Sequence, residues 1–258
     1  MPIAVAVAVP EGVALAVDTY MSANEAIGPL EGPDRFRPAG IPFAVDQPGD
    51  QKRMFPVRMA NSTFVLAFAN SAELNDTSLY MVLKSLESKY TGNNIYETVL
   101  DYLIEGIKTE LKNRAADRRG DGRPVRFEIE FILAGWREDG SRPIAKAVTI
   151  GLDAQPTSNE DSRDSFTVRQ NFPPHPFGCC FSGRSEFPEY LFNGGNGLLP
   201  PLNAGFWAMG LKEALDYARF FVEFTCDYQR FSAAKPDCER PVITGILASE
   251  SLGGFTFS

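Results

Sequence analysis

The chain has 258 residues, of which 44% are hydrophobic, 12% aromatic and 22% charged. This composition is typical of a globular protein with a large core and excludes a disordered chain. The 25 Lys and Arg residues against 33 Asp and Glu residues give a formal net charge of −8. That balance argues against nucleic acid or an anionic membrane as the main partner. The length is compatible with one large domain, and we expect residues 1–258 to form it.

The sequence contains no segment that predicts export or membrane insertion. The longest apolar run, from Ile3 to Pro10, is too short to span a bilayer and lacks the basic region and longer core of a secretory signal. The cysteines have no framework spacing, because Cys179 and Cys180 are adjacent and Cys226 and Cys238 stand apart. We therefore expect a cytoplasmic protein that needs no disulfide.

The first half of the chain predicts two hairpins, a long loop and two helices. Ile3–Val9 and Val13–Tyr20 flank the turn signal Pro10-Glu11-Gly12. Residues 22–50 are rich in Gly and Pro and predict an irregular loop. Arg53–Met59 and Ser62–Phe68 then predict a second hairpin. Apolar residues recur at helical spacing in two groups: Leu79, Val82, Leu83, Leu86 and Tyr90, then Ile95, Val99, Leu103, Ile107 and Leu111.

The second half predicts about four strands, two helices and a closing hairpin. Phe127–Leu133 alternates with glutamates in the period-two pattern of a strand with one wet face. We expect Cys179 and Cys180 on a further strand, pointing to opposite faces. The remaining predicted elements are strands at 144–150 and 166–172, a short helix beginning near residue 184, a long helix over 211–225, and a hairpin of 242–248 with 255–257.

Strands and helices are segregated along the chain. This order favours antiparallel sheets covered by helices over a βαβ arrangement, and therefore predicts the α+β class. Strands from both ends of the chain must combine with the middle strands to fill two sheets.

Three stretches, together with this order, resemble the proteasome subunits and their bacterial relatives in the N-terminal-nucleophile (Ntn) hydrolase superfamily. Residues 12–19 form an apolar strand that ends at an acidic residue, residues 52–57 place basic residues before a Phe-containing strand, and residues 131–140 form a strand ending in a glycine and an acidic turn. The resemblance implies a four-layer αββα sandwich of two antiparallel sheets flanked by helices.

The resemblance also implies a set of catalytic positions. Active members of that family use an N-terminal Thr, Ser or Cys whose own amine acts as the base, with a carboxylate and a lysine nearby. Carried over to this chain, the positions are Pro2, Asp18 and Arg53, with Lys52 beside the last. Proline has no hydroxyl or thiol, and arginine stays protonated. Only Asp18 matches in kind. Its plainer role is to cap, or to pair with Arg53 or another basic residue, and so to fix the hairpin to the neighbouring strand.

The implied function is a subunit that lacks threonine-peptidase activity and assembles with itself or with related subunits in a ring, without cofactor or metal. Two alternatives stay open. In the first, the chain is an amide-bond or peptide hydrolase that uses Pro2, freed by removal of Met1, or another residue of the same cleft. In the second, it is a ligand-binding regulatory module with residues 22–50 as a lid.

Other candidate residues have plainer interpretations. His175, the only histidine, lies between prolines and is expected in a surface loop, although a Ser-His-Asp relay is conceivable. Of the strand pair Cys179 and Cys180, one is expected to pack inside and the other to lie on the opposite face, although a catalytic thiol is conceivable. The glycine-rich segment 193–197 lacks the ending of a phosphate-binding loop. Aromatic residues concentrate on the last long helix and predict core or subunit contact: Phe206, Trp207, Phe220, Phe221 and Phe224.

Overall fold

The computed structural model describes residues 3–18, 53–60, 62–69, 73–74, 77–118, 125–137, 142–154, 165–171, 177–183, 186–194, 205–231, 238, 241–249 and 254–257. The predicted loop at 22–50 lies outside the described residues. So do Pro2, Lys52, His175 and most of the glycine-rich segment 193–197.

Five strands form the first antiparallel sheet: β1 (Ile3–Val9), β2 (Gly12–Val17), β10 (Gly178–Gly183), β11 (Ile243–Ala248) and β12 (Phe255–Phe257). Their order across the sheet is β10-β1-β2-β11-β12, and neighbouring strands pair antiparallel. The sheet therefore joins the start, the middle and the end of the chain.

Five further strands form the second antiparallel sheet: β3 (Met54–Met59), β4 (Ser62–Phe68), β7 (Val125–Trp136), β8 (Pro143–Ala154) and β9 (Ser165–Asn171). Their order is β3-β4-β7-β8-β9. A small separate pair, β5 (Glu73–Leu74) and β6 (Thr77–Ser78), was not predicted. The helices are α1 (Leu79–Lys89), α2 (Tyr96–Arg118), α3 (Glu186–Phe192) and α4 (Leu211–Phe231).

Three cores hold these elements together in layers. The first lies between the second sheet and helices α1 and α2, the second lies between the two sheets, and the third lies between the first sheet and α4. Strand β1 shows how the sequence specifies the layers. Its Ala4, Ala6 and Ala8 face the other sheet, whereas its Ile and Val residues face α4. Small side chains let the sheets approach each other, and β-branched side chains fill the wider space beneath a helix.

The predicted α+β sandwich of two antiparallel sheets covered by helices is confirmed. Both N-terminal hairpins and the closing hairpin are also present. One placement is wrong, because Phe206 and Trp207 precede α4 in a turn. That turn holds Phe206 in the core beside Tyr217 of the helix, with ring centroids 5.7 Å apart. No helix within the described ranges is long and apolar enough to cross a membrane.

Candidate functional site

The structure brings together the two described residues of the predicted catalytic set. Asp18 follows β2 with 0% of its surface exposed, and Arg53 precedes β3 with 1% exposed. The Arg53 Nη1 atom lies 3.2 Å from Asp18 Oδ1. Because β2 belongs to the first sheet and β3 to the second, this ion pair links the two sheets. Pro2 and Lys52 lie outside the described residues, so their part in this site stays a prediction.

Backbone hydrogen bonds surround the ion pair. The Ile3 N–H donates to Asp18 Oδ1 at 3.2 Å, and the Asp18 N–H donates back to the Ile3 carbonyl at 3.3 Å. Arg53 Nη1 also donates to the Ala69 carbonyl at 3.3 Å, and the Phe68 N–H donates to the Arg53 carbonyl at 2.8 Å. The two side chains thus hold the start of β1, the end of β2 and the end of β4 in one place.

This arrangement limits what the pair can do chemically. A buried ion pair is tolerated when further hydrogen bonds offset the loss of hydration, and both partners here have such bonds. The guanidinium of Arg53 stays charged and cannot accept a proton, so it can supply only an electrostatic field. The geometry is that of a structural clamp between two sheets.

A further titratable group, Glu130, was missed by the sequence analysis, and its backbone is bonded to the residue that follows β4. Glu130 of β7 is half-buried, and its backbone carbonyl accepts a hydrogen bond from Ala69 N–H at 3.1 Å. The pKa of Glu130 is raised to about 7. Burial is the largest cause, the charge and hydrogen bond of Glu128 add to it, and a hydrogen bond from the Gly183 backbone opposes them. The alternating pattern around Glu130 predicted a wet face. The end of β10 partly covers that face, and no local signal indicates this contact.

The adjacent cysteines point to opposite faces of β10, as predicted. Cys179 lies in the core beneath α4, and Cys180 lies between the two sheets. Burial raises the pKa of the Cys180 thiol to about 12, and burial also raises the pKa of Cys179 well above its ordinary value. Thiolate is the nucleophilic form of cysteine, so this environment disfavours a catalytic role. Within the described ranges, no three His, Cys, Asp or Glu residues form a group that could hold a metal ion.

The aromatic residues around α4 divide into a buried and an exposed set. Phe206 and Phe221 are in the core. Trp207 is 75% exposed, Phe220 44% and Tyr228 50%. The packing of α4 on the first sheet therefore leaves these three aromatic side chains on the surface.

Comparisons with known proteins give a fold and not a family. No protein-family profile matches the chain, and no curated protein matches it. Among solved structures, Anbu (ancestral beta-subunit) from Yersinia bercovieri is similar with a TM-score of 0.53 and 13% identity, over 99% of this chain and 86% of that chain. The helical assembly of the Anbu complex from Pseudomonas aeruginosa is similar with a TM-score of 0.56 and 14% identity, over 99% and 85% of the two chains.

These results correct the predicted membership in the proteasome-subunit family of the Ntn superfamily. The sequence patterns around Asp18 and Arg53 suggested that membership. The structural neighbours, however, are only 13% and 14% identical, which shows a similar fold and no more. A shared fold does not by itself transfer function.

Proposed function

We propose that this chain is a self-assembling structural protein on an Anbu-like fold, without threonine-peptidase activity. The observation that carries the proposal is an aromatic patch on α4, which we define as Phe220, Phe224 and Tyr228. Phe220 and Tyr228 are exposed and Phe224 is half-buried. Trp207, in the turn that leads into α4, is exposed as well. Large exposed aromatic side chains are enriched where proteins meet partners.

The geometry of α4 separates this patch from the core. Phe220, Phe224 and Tyr228 follow one another at intervals of four residues, which places them along one side of the helix. Ala214, Ala218 and Val222 occupy the opposite side and pack in the core against the first sheet. The rings of Phe220 and Phe224 are stacked, with centroids 5.8 Å apart. A contiguous aromatic strip of this kind is typical of an interface core.

Charged residues border the patch. Arg219 Nε lies 2.7 Å from Glu223 Oε1 on the same helix. An aromatic centre with a charged border is the usual composition of a protein interface. The P. aeruginosa Anbu neighbour is described as a helical assembly, which supports a second copy of this chain, or a related subunit, as the partner. We further propose that the protein acts in the cytoplasm.

The proposed lack of peptidase activity is supported by the residues at the predicted catalytic positions. Arg53 stands where a lysine is expected and is bonded to Asp18 in a buried clamp. Pro2 stands where a hydroxyl or thiol is expected.

The aromatic patch gives the experiment. The double substitution Phe220→Ser and Tyr228→Ser should reduce the size of the assembly in sedimentation velocity at micromolar concentration, because it removes apolar area from the interface. Both side chains are exposed, so the fold should persist by circular dichroism. The matched control is Met81→Ser, an exposed apolar residue of α1, which should leave the assembly unchanged. An unchanged assembly in the patch variant would argue against this surface.

Peptide turnover separates this proposal from the hydrolase alternative. The wild-type protein should not cleave a panel of fluorogenic peptides. If the wild-type protein cleaves these peptides and the Pro2→Gly variant does not, the structural role is contradicted and the hydrolase alternative is supported.

A further inference from the structure

The two five-stranded sheets have four edge strands, and three of them are protected. Strand β3 contains Pro56, which has no N–H to donate to a neighbouring strand. Strand β12 has only three residues, and five of the six residues of β10 are buried. Short edges, prolines and covering elements are the ways in which proteins prevent unwanted strand pairing.

Strand β9 is the edge strand for which the described residues show no such protection. It is seven residues long, contains no proline, and has Arg169 as its only charged residue. Every residue except Phe166 is exposed, including Val168 at 36%. Strand β8 pairs with one side of β9, and no strand of the described residues pairs with the other side.

The strand is nevertheless fixed in position. All seven of its residues are in register with β8, from Ser165 opposite Asp153 to Asn171 opposite Ala147. Near its beginning, the ammonium groups of Lys108 and Lys112 on α2 lie 5.9 and 5.3 Å from the centre of the Phe166 ring. An ordered edge strand presents a row of backbone N–H and C=O groups, and a second extended strand can pair with them along their whole length.

We propose that β9 pairs antiparallel with β9 of a second copy, about a twofold axis at Val168, so that two five-stranded sheets become one continuous sheet. This inference rests on the proposed self-assembly and names one surface that serves it. A twofold contact must be self-complementary. With the axis at Val168, the side chains of the two β9 strands are complementary, and the residue pairs are as follows.

In the proposed register, Val168 faces Val168, and Arg169 of one copy faces Thr167 of the other. Phe166 faces Gln170, and the polar end residues face each other. No like charges are directly opposite, and a β-branched pair lies at the centre, which is favourable in antiparallel sheets. A shift by one residue would place the Phe166 face of one strand beside the Arg169 face of the other.

A charge-exchange experiment tests both the partner and the register. Val168→Lys places two lysines directly opposite each other, and Val168→Glu places two glutamates there. Each variant alone should weaken the association at least about tenfold in sedimentation velocity, because like charges opposite each other destabilise a strand pair. An equimolar mixture of the two should regain association, because lysine then faces glutamate.

The control is Met81→Lys, which adds the same charge at an exposed site on α1 and should leave association unchanged. Circular dichroism should show that all variants fold, since position 168 is exposed. If the wild-type protein assembles and both Val168 variants assemble equally well, the β9 contact is overturned while the proposed self-assembly stands. If each variant dissociates and the mixture does not regain association, the register is overturned. A monomeric wild-type protein would overturn both proposals.

Discussion

At the scale of single residues, the clamp formed by Asp18 and Arg53 is the clearest link between sequence and structure. Two charges removed from water must bind each other and the backbone around them, and both do so. The residues that resemble part of a catalytic set thus hold β1, β2 and β4 together. Their burial is explained by this role without any reaction.

We expect Asp18→Asn to lower the free energy of unfolding by about 3–5 kcal/mol, because it leaves the buried charge of Arg53 without its counter-charge. Arg53→Met should cost a similar amount for the converse reason. The double variant should cost clearly less than the sum of the two, since it leaves no unpaired buried charge. Urea unfolding of the four proteins measures this coupling, and strictly additive costs would contradict the clamp.

The pKa of Glu130 predicts a pH dependence of stability. Burial raises this pKa from 4.5 to about 7, so between these values the folded protein holds a proton that the unfolded chain has lost. The contribution of Glu130 is therefore most favourable at low pH, and it is lost as the pH rises through about 7. We expect Glu130→Gln to unfold at higher urea than the wild-type protein at pH 8 and to show a weaker decline between pH 5 and pH 8.

Glu128→Gln is the companion variant. Burial is the largest cause of the raised pKa and Glu128 the next. The Glu128→Gln variant should therefore lose stability between pH 5 and pH 8 almost as strongly as the wild-type protein does. Equal pH profiles for the wild-type protein and Glu130→Gln would show that Glu130 does not control this effect.

The candidate site could be predicted from sequence only in part. The pairing of Asp18 with Arg53 was one of the predicted roles of Asp18, beside a cap or a pair with another basic residue. The burial of the pair was not predicted. Glu130 was missed because its neighbours alternate as on a solvent-facing strand. Its burial depends on β10, which lies about 50 residues further along the chain.

At the scale of elements, periodicity predicted most strands and helices because each buries one or both faces. Strand β1 shows this in its regular alternation of Ala with Ile or Val. The pair β5 and β6 was missed because two-residue strands have no period to detect. The position of β9 at an edge was also not foreseen, because only the sheet order puts it there.

Gly12 at the start of β2 tests how closely the strands of the first sheet approach. A Cβ atom there would lie 2.2 Å from the Leu247 carbonyl oxygen of β11, and the φ angle is +157°. We expect Gly12→Ala to cost about 2 kcal/mol or more in the free energy of unfolding. Gly254→Ala is the control, because its φ is +68° but nothing lies within 4 Å of the added atom. It should cost only about 1 kcal/mol, and equal costs would contradict the close approach of β11.

At the scale of the whole molecule, the first sheet contains strands from the start, middle and end of the chain. We propose on this basis that residues 1–258 fold as one domain. The fold resembles that of the Anbu structures at identities of 13% and 14%. Two surfaces at different places, the aromatic patch on α4 and the free edge of β9, would allow an assembly to extend beyond a dimer.

Native mass spectrometry of the wild-type protein at micromolar concentration tests the central claim most directly. We expect the dominant species to contain more than one copy of the chain. A spectrum that contains only the single chain would contradict the proposed self-assembly.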